Sequence, residues 1–382
     1  MRWLITNRNI EPTGFGTDQD QLTYWTLKQP GLPLDNIASW NWQSFDSFKQ
    51  MLINVADQFP TPFGLPPEEQ KHICLFIHGY NNDWTSAMST YGSVAETLFD
   101  GPNSMGELIS FDWPSKGSLL GYLPDRAEAR QTGDDLTEVL SELYDWLAAK
   151  QLATKQDTAN ACKAKTSVIA HSMGNYALQY AMEATWTRKN RPLLVSLLQE
   201  VLMVAADVDN DIFKSGESIS DGDGEGLANM SYRITALYTG RDNVLGSSAG
   251  LKHFGKRRLG RSGLDRTYPV PDNVWDIDCS NIIDANVSGM AIHGEYFNPQ
   301  EQKCYALMRG GAGRKRPQRS DRKRAGAGVD SEAAGGYFGG VGSVRTQRHR
   351  EMAICGGGLG IAADEALRYD FQKGEGPSHC MS

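Results

Sequence analysis

The chain has 382 residues, of which 40% are hydrophobic, and its formal net charge is −8. This is enough material for one large buried core. The first 308 residues carry a net charge of −13, which argues against nucleic acid as the main partner of the folded part. No run of about 18 apolar residues occurs, and the start MRWLITNRNI lacks the apolar core of a signal peptide, so neither a transmembrane helix nor a secretory leader is expected.

The cysteines are widely spaced and form no C-x-x-C pair. This usage predicts reduced thiols in a cytoplasmic protein, with neither a disulfide framework nor a zinc site. The six positions are Cys74, Cys162, Cys279, Cys304, Cys355 and Cys380. Cys74 lies inside a predicted buried strand.

Apolar runs alternate with amphipathic stretches along most of the chain, which predicts an α/β fold: a mostly parallel sheet with helices on both faces. Residues 1–70 are expected to lead into the core and residues 71–308 to form it. The predicted strands are 3–6, 22–27, 72–77, 107–111, 167–169, 200–205, 232–238 and 273–277. The predicted helices are 44–58, 85–99, 125–150, 175–184 and 298–309.

Ser172 stands where a predicted strand turns sharply into a predicted helix, within Ala170-His171-Ser172-Met173-Gly174. A serine at the tip of such a strained turn needs small residues two positions away on each side, and Ala170 and Gly174 meet that need. The helix that follows adds backbone N–H groups and its positive end beside the serine. The pattern predicts a nucleophile for acyl transfer.

Such a nucleophile needs a histidine base and an acid that orients the base. In serine hydrolases with an α/β sheet of this kind, the three residues occur along the chain in the order serine, acid, histidine. His293, in a loop after the last predicted strand, is the favoured base. His253 is the alternative, but its basic neighbours would lower the pKa of a base and suit a surface role.

Asp242 is the favoured acid, because it follows a predicted strand across a short turn at the carboxyl edge of the sheet. Asp207 and Asp209, after the preceding strand, are the alternatives. Together with Asp211 they also suggest calcium, but a calcium loop would need glycine at 212 and glutamate at 218. A helix cap for the segment around Ile212 is the favoured use of at least one of these carboxylates.

Two backbone N–H groups are expected to bind the oxyanion. One belongs to Met173, directly after the nucleophile. The other is assigned to Tyr80, in the turn His78-Gly79-Tyr80 that follows the predicted strand 72–77.

Five segments of the chain resemble a bacterial group of α/β-hydrolases, catalogued as a domain of unknown function and related to lipases and esterases. They are FIHGYNNDW (76–84), FDWPSKG (111–117), AHSMGN (170–175), AADVDNDIF (205–213) and LYTGRDNVL (237–245). The resemblance covers about residues 70–300 and extends more weakly to Thr6-Asn7-Arg8. It implies the α/β-hydrolase fold and the triad positions, and it says little about the substrate. Ala170 in place of glycine departs from the pattern.

Residues 309–382 differ in character from the rest of the chain. They carry a net charge of +5 and 16 of the 40 glycines. Apart from a short helix predicted at 361–367, this composition favours a disordered tail. Contact of the basic run 309–324 with nucleic acid or an anionic surface is a weaker interpretation, because such runs are common.

Together these features predict a serine hydrolase of the carboxylesterase or lipase-like kind, acting on a small-molecule acyl ester. No metal or organic cofactor is implied. Thioesterase and amidase chemistry would use the same residues. A non-catalytic binding protein on the same scaffold is the alternative of a different class.

Overall fold

The structure is a computed structural model, and it describes residues 1–61, 65, 69–115, 122–156, 163–189, 197–214, 224–252, 255–267 and 269–313. These belong to a compact unit, Met1–Pro317. His253, the predicted helix at 361–367 and most of the predicted tail lie outside the described residues.

The described strands form a nine-stranded sheet in the order β3-β2-β1-β5-β4-β6-β7-β8-β9. Only β2 runs antiparallel to its neighbours; all other adjacent pairs are parallel. The strands are β1 (Trp3–Glu11), β2 (Gly14–Leu27), β3 (Trp40–Gln43), β4 (His72–Ile77), β5 (Gly106–Asp112), β6 (Lys165–His171), β7 (Leu198–Val204), β8 (Ser231–Tyr238) and β9 (Val274–Asp278). The predicted mostly parallel sheet is confirmed.

Helices cover both faces of this sheet. They are α1 (Phe45–Ala56), α2 (Trp84–Val94), α3 (Tyr122–Gln156), α4 (Gly174–Lys189), α5 (Glu225–Met230), α6 (Asn243–Lys252), α7 (Leu259–Ser262) and α8 (Gln302–Gly313). A π-helical turn, Ala95–Phe99, continues α2, and Ser44 caps α1 by accepting from the Ser47 N–H. Strand side chains point alternately to the two faces, so each face has its own core.

The two cores follow from that alternation. On one face, Val168 and Ala170 of β6 pack with side chains from α1, α3 and α4. On the other face, Ile169 packs with side chains from α2, α6 and α8. All three strand residues are almost completely buried, as expected of a central parallel strand.

The N-terminal strands are longer than predicted. β1 and β2 form an antiparallel hairpin in which Glu11 faces Gly14, and β1 also pairs in parallel with β5. The outer half of the hairpin is rich in polar residues. A prediction based on apolar runs therefore ends these strands too early. β3, only four residues long, was not predicted at all.

Two other local expectations were wrong. Asn298-Pro299 does not begin the last helix, because the Asn298 side chain accepts from the Gln300 N–H in a separate turn and α8 starts at Gln302. No helix begins around Ile212, where Asp211–Phe213 forms only a hydrogen-bonded turn. Cys74, by contrast, is buried in β4 as predicted, and the thiols of Cys74, Cys279 and Cys304 are free.

The buried histidine at the start of β4, His72, is expected to lower the free energy of unfolding in acid. Burial, aided by the charges of Lys165 and Arg233, lowers the pKa of His72 from 6.5 to about 4. Between pH 6.5 and pH 4 the folded state therefore binds fewer protons than the unfolded chain does. Because of His72, the free energy of unfolding is unaffected above pH 6.5 and falls as the pH approaches 4. This one group is expected to cost about 2 kcal/mol between pH 7 and pH ~4.5.

Urea unfolding of the wild type and of His72→Gln at both pH values measures this contribution. The glutamine variant should lose about 2 kcal/mol less on acidification than the wild type does. Equal losses in the two proteins would contradict the assignment of this acid sensitivity to His72.

Candidate active site

Ser172 sits in the sharp turn between β6 and α4, and its side chain is almost completely buried. Its φ is +50°, a left-handed backbone conformation that strains a residue with a side chain. The Ser172 N–H donates to the Val204 carbonyl at 3.0 Å, and the Asp207 N–H donates to the Ser172 carbonyl at 3.1 Å. These bonds fasten the turn to the end of β7, at the carboxyl edge of the sheet.

The residues around this turn explain why it needs small neighbours. A Cβ on Gly174 would lie 2.4 Å from the His78 carbonyl oxygen, so no larger residue fits there without a shift. Ala170 is fully buried. The Asn175 amide donates to the Ala170 carbonyl at 2.8 Å and fixes the turn from the inside.

The structure brings Ser172, His293 and Asp242 into one hydrogen-bonded chain. The Ser172 Oγ lies 2.7 Å from His293 Nε2, and His293 Nδ1 lies 2.6 Å from Asp242 Oδ2. Since the carboxylate accepts from Nδ1, Nε2 of the neutral ring is left to accept the serine proton. This is the arrangement of nucleophile, base and orienting acid that acyl transfer requires.

Asp242 is held in place by the start of α6. Its Oδ1 accepts from the Leu245 N–H at 3.0 Å, which makes it the N-cap of the helix and leaves Oδ2 for His293. Arg261 donates to the backbone carbonyl of Asp242. The carboxylate is fully buried, whereas the His293 side chain is 13% exposed.

The alternative acids are engaged elsewhere. Asp207 accepts from Arg258 Nε at 2.7 Å, and Asp209 pairs with both Arg258 and Lys256. Asp211 pairs with Lys214 at 3.3 Å. Among the hydrogen bonds of the described residues, none joins Asp207 or Asp209 to His293, and none makes either carboxylate the cap of a helix, as had been expected for at least one of them. In the part of the chain that the structure describes, no group of three or more His, Cys, Asp or Glu could hold a metal ion.

Of the predicted oxyanion residues, Met173 directly follows Ser172 in the chain, and Tyr80 directly follows Gly79, which lies close to Ser172. Met173 is buried between Ser172 and the start of α4. Tyr80 is partly buried in the turn after β4, next to Gly79. A Cβ on Gly79 would lie 2.6 Å from the Ser172 Cβ, so this turn approaches the serine as closely as a glycine allows.

A buried ion pair between Arg8 and Asp112 lies next to the turn that carries Tyr80. Arg8 Nε lies 2.7 Å from Asp112 Oδ2, and both side chains are fully buried. The same guanidinium donates to the Asn82 carbonyl at 2.9 Å and to the Gly16 carbonyl at 3.1 Å. Burial alone raises the pKa of Asp112, but the charge of Arg8 and hydrogen bonds from His78 and Arg8 together hold that pKa below its ordinary value.

His78 joins the same support. Its Nδ1 lies 2.8 Å from the Gly79 carbonyl oxygen, and its Nε2 lies 3.0 Å from Asp112 Oδ1 and 3.0 Å from the Trp113 backbone nitrogen. Its ring stacks on the Trp113 indole with centroids 5.3 Å apart. Sequence reasoning gave no role to Arg8, Asp112 or Asn175, although each lies in a segment that carries the family resemblance.

A family model described as an alpha/beta hydrolase of unknown function (DUF900) matches residues 63–303. The chain belongs to this family. No helix in the described ranges of this α/β-hydrolase is both long and apolar enough to cross a membrane.

A relative of this α/β-hydrolase is the uncharacterized protein alr1448 of Nostoc sp. strain PCC 7120. The two are 26% identical over an alignment of 218 residues, and the match covers 48% of this chain and 50% of the relative. The chain therefore spans about half the length of the curated relative that it matches. The relative's own activity is not described by its name.

Solved structures similar to this α/β-hydrolase include lipases and esterases. Aspergillus fumigatus lipase B shares 10% identity and a TM-score of 0.37, covering 78% of this chain and 66% of that one. A Pyrobaculum calidifontis esterase shares 8% identity and a TM-score of 0.33, covering 64% and 76%. Likenesses at this level say nothing about the substrate of this chain.

Proposed function

We propose that this α/β-hydrolase is a serine hydrolase that cleaves an acyl ester of a small molecule through an acyl-enzyme. The observation that carries the proposal is the hydrogen-bonded chain from Ser172 through His293 to Asp242, with 2.7 Å and 2.6 Å between the bonded atoms. A purely structural histidine would not need a strained serine on one ring nitrogen and a buried carboxylate on the other.

In the proposed first half-reaction, Ser172 Oγ bonds to the acyl carbon while its proton passes to His293 Nε2. Asp242 holds the ring in the required tautomer and stabilises the imidazolium that forms. The tetrahedral intermediate collapses, the ester C–O bond breaks, and the leaving alkoxide takes the proton from Nε2. Water repeats the sequence against the acyl-enzyme and releases the carboxylic acid.

We assign the oxyanion to the backbone N–H groups of Met173 and Tyr80. The close approach of Gly79 to the Ser172 Cβ supports this assignment, because it places the following peptide beside the nucleophile. Met173 precedes the first turn of α4, whose positive end favours a developing negative charge. The buried Arg8–Asp112 pair holds the Tyr80 turn in the folded protein.

Labelling with a fluorophosphonate probe tests the proposal directly. The wild type is expected to be labelled, and Ser172→Ala is expected to lose all labelling while keeping its thermal unfolding temperature. Labelling that persists in Ser172→Ala, or a wild type that is not labelled, would reject serine catalysis and favour a binding protein on the same scaffold.

A panel of p-nitrophenyl esters of increasing chain length, run beside a thioester and an anilide, then defines the leaving group. The triad itself does not choose among these substrates. We expect the oxygen esters to react fastest, and preference for the thioester or the anilide would reassign the enzyme to that class.

A further inference from the structure

His171, the residue directly before Ser172, is a buried histidine with no part in the proton transfers just described. Its side chain contacts the turn Ala291–His293, which carries the proposed base. Its Nε2 lies 3.0 Å from the backbone carbonyl oxygen of His293, and the two ring centroids are 4.9 Å apart. The Phe297 ring packs against the His171 ring at nearly a right angle, at 5.2 Å between centroids.

The chemistry of this contact determines where the His171 proton is. A carbonyl oxygen can only accept, so Nε2 must carry the hydrogen. Burial and the nearby charge of His293 lower the pKa of His171 to about 3, so the ring is neutral near neutral pH. Nδ1 is then an unprotonated acceptor, and it faces Gly79, where an added Cβ would lie 3.0 Å away.

The contact matters because the backbone of His293 makes few other hydrogen bonds within the described residues. It sits in a single 3₁₀ turn between β9 and α8, and within that turn its N–H donates only to the Met290 carbonyl, at 3.3 Å. The bond from His171 instead links the carbonyl of His293 to the end of β6, a central strand. The nucleophile and the anchor of its base are thus consecutive residues of one strand end.

We infer that His171 is a positioning residue, which sets the distance from Ser172 to His293 by donating its Nε2 hydrogen to the His293 carbonyl. The inference rests on the proposed function, since it assigns a role within the same site. A shift of about 1 Å in a reacting group can cost about a hundredfold in rate, so loss of the donor should lower kcat. KM should stay within about twofold, because the Nε2 donor is buried against the backbone carbonyl of His293.

Two substitutions of His171 separate the effect of losing the N–H donor from the effect of losing the volume of the ring. His171→Leu keeps an apolar side chain of moderate size and removes the donor, and kcat for a p-nitrophenyl ester should fall about 10- to 100-fold. His171→Gln places an amide N–H at about the reach of Nε2, and it should restore kcat to within about threefold of the wild type. His72→Leu, another buried histidine at the far end of neighbouring β4, is the matched control and should keep the wild-type kcat.

The tautomer of His171 in the wild type provides a test that needs no destabilised variant. ¹⁵N shifts of histidine-labelled protein, assigned by the signal that His171→Gln lacks, should report a neutral ring with hydrogen on Nε2. Hydrogen on Nδ1 would overturn the inference. So would unchanged kcat in His171→Leu, or an equal loss in the glutamine and leucine variants. A wild type that is neither labelled nor active rejects the proposed function instead, and the tautomer still decides the contact.

Discussion

Replacing His293 with alanine is expected to lower kcat for ester hydrolysis by about a million-fold, with only a small change in stability. The reason is that Nε2 of His293 is the only base within hydrogen-bond reach of the Ser172 hydroxyl among the hydrogen bonds of the described residues. Triad members act as a unit, so loss of the base removes nearly the whole triad contribution. Steady-state turnover of the ester preferred in the chain-length panel measures it.

His72→Gln is the matched control, because it also removes a histidine ring but lies at the opposite end of the sheet. It should leave kcat at neutral pH close to that of the wild type. More than one per cent of wild-type kcat remaining in His293→Ala would mean that another group takes the serine proton.

The choice of acid can be tested with the same assay. Asp242→Asn should cost about 10⁴-fold in kcat, because an amide in this position favours the wrong tautomer of the base. Asp209→Asn should stay within about threefold, since Asp209 pairs with Arg258 and Lys256 and has no hydrogen bond to His293. If Asp209→Asn instead caused the larger loss, Asp209, which follows β7, would be the acid that orients His293.

The second large effect concerns stability. Arg8→Met is expected to cost about 3–5 kcal/mol in the free energy of unfolding, because it leaves the Asp112 carboxylate buried without its counter-charge. Urea unfolding followed by tryptophan fluorescence measures the loss. In the double variant Arg8→Met/Asp112→Leu most of the loss should be recovered, since no lone charge is left in the core.

The pair Arg2–Asp100 is the matched control for this experiment. It has a similar distance, 2.6 Å, but its side chains are 18% and 46% exposed. Arg2→Met should therefore cost less than about 1 kcal/mol. Equal costs at the two sites would show that burial does not govern the strength of the Arg8 contact.

The sequence was sufficient to predict the fold class and the three residues that meet at the sheet edge. The carboxyl ends of parallel strands share one edge, so a serine after one strand, an aspartate after another and a histidine in the following loop are brought close by topology alone. The strained turn was also predictable, because its small flanking residues are adjacent in the chain.

Contacts between distant charges were not predictable in the same way. Asp207, Asp209 and Asp242 all follow strands, and no local pattern shows that Arg258, about fifty residues further on, pairs with the first two. Arg8 and Asp112 are 104 residues apart, and no local pattern marks them as partners. Likewise, the capping signal at Asn298 is real but closes a separate turn, so the predicted helix start at 298 lies four residues before the observed start at Gln302.

The Arg8–Asp112 pair also bears on how proteins of this family are expected to vary. Arg8 lies on a hairpin that precedes the region matched by the family model, whereas Asp112 lies within that region. Exchange of either residue alone would pass through an intermediate with an uncompensated buried charge. The hairpin and the hydrolase core should therefore be inherited together, and related chains should change these two positions jointly: both charged, or both apolar.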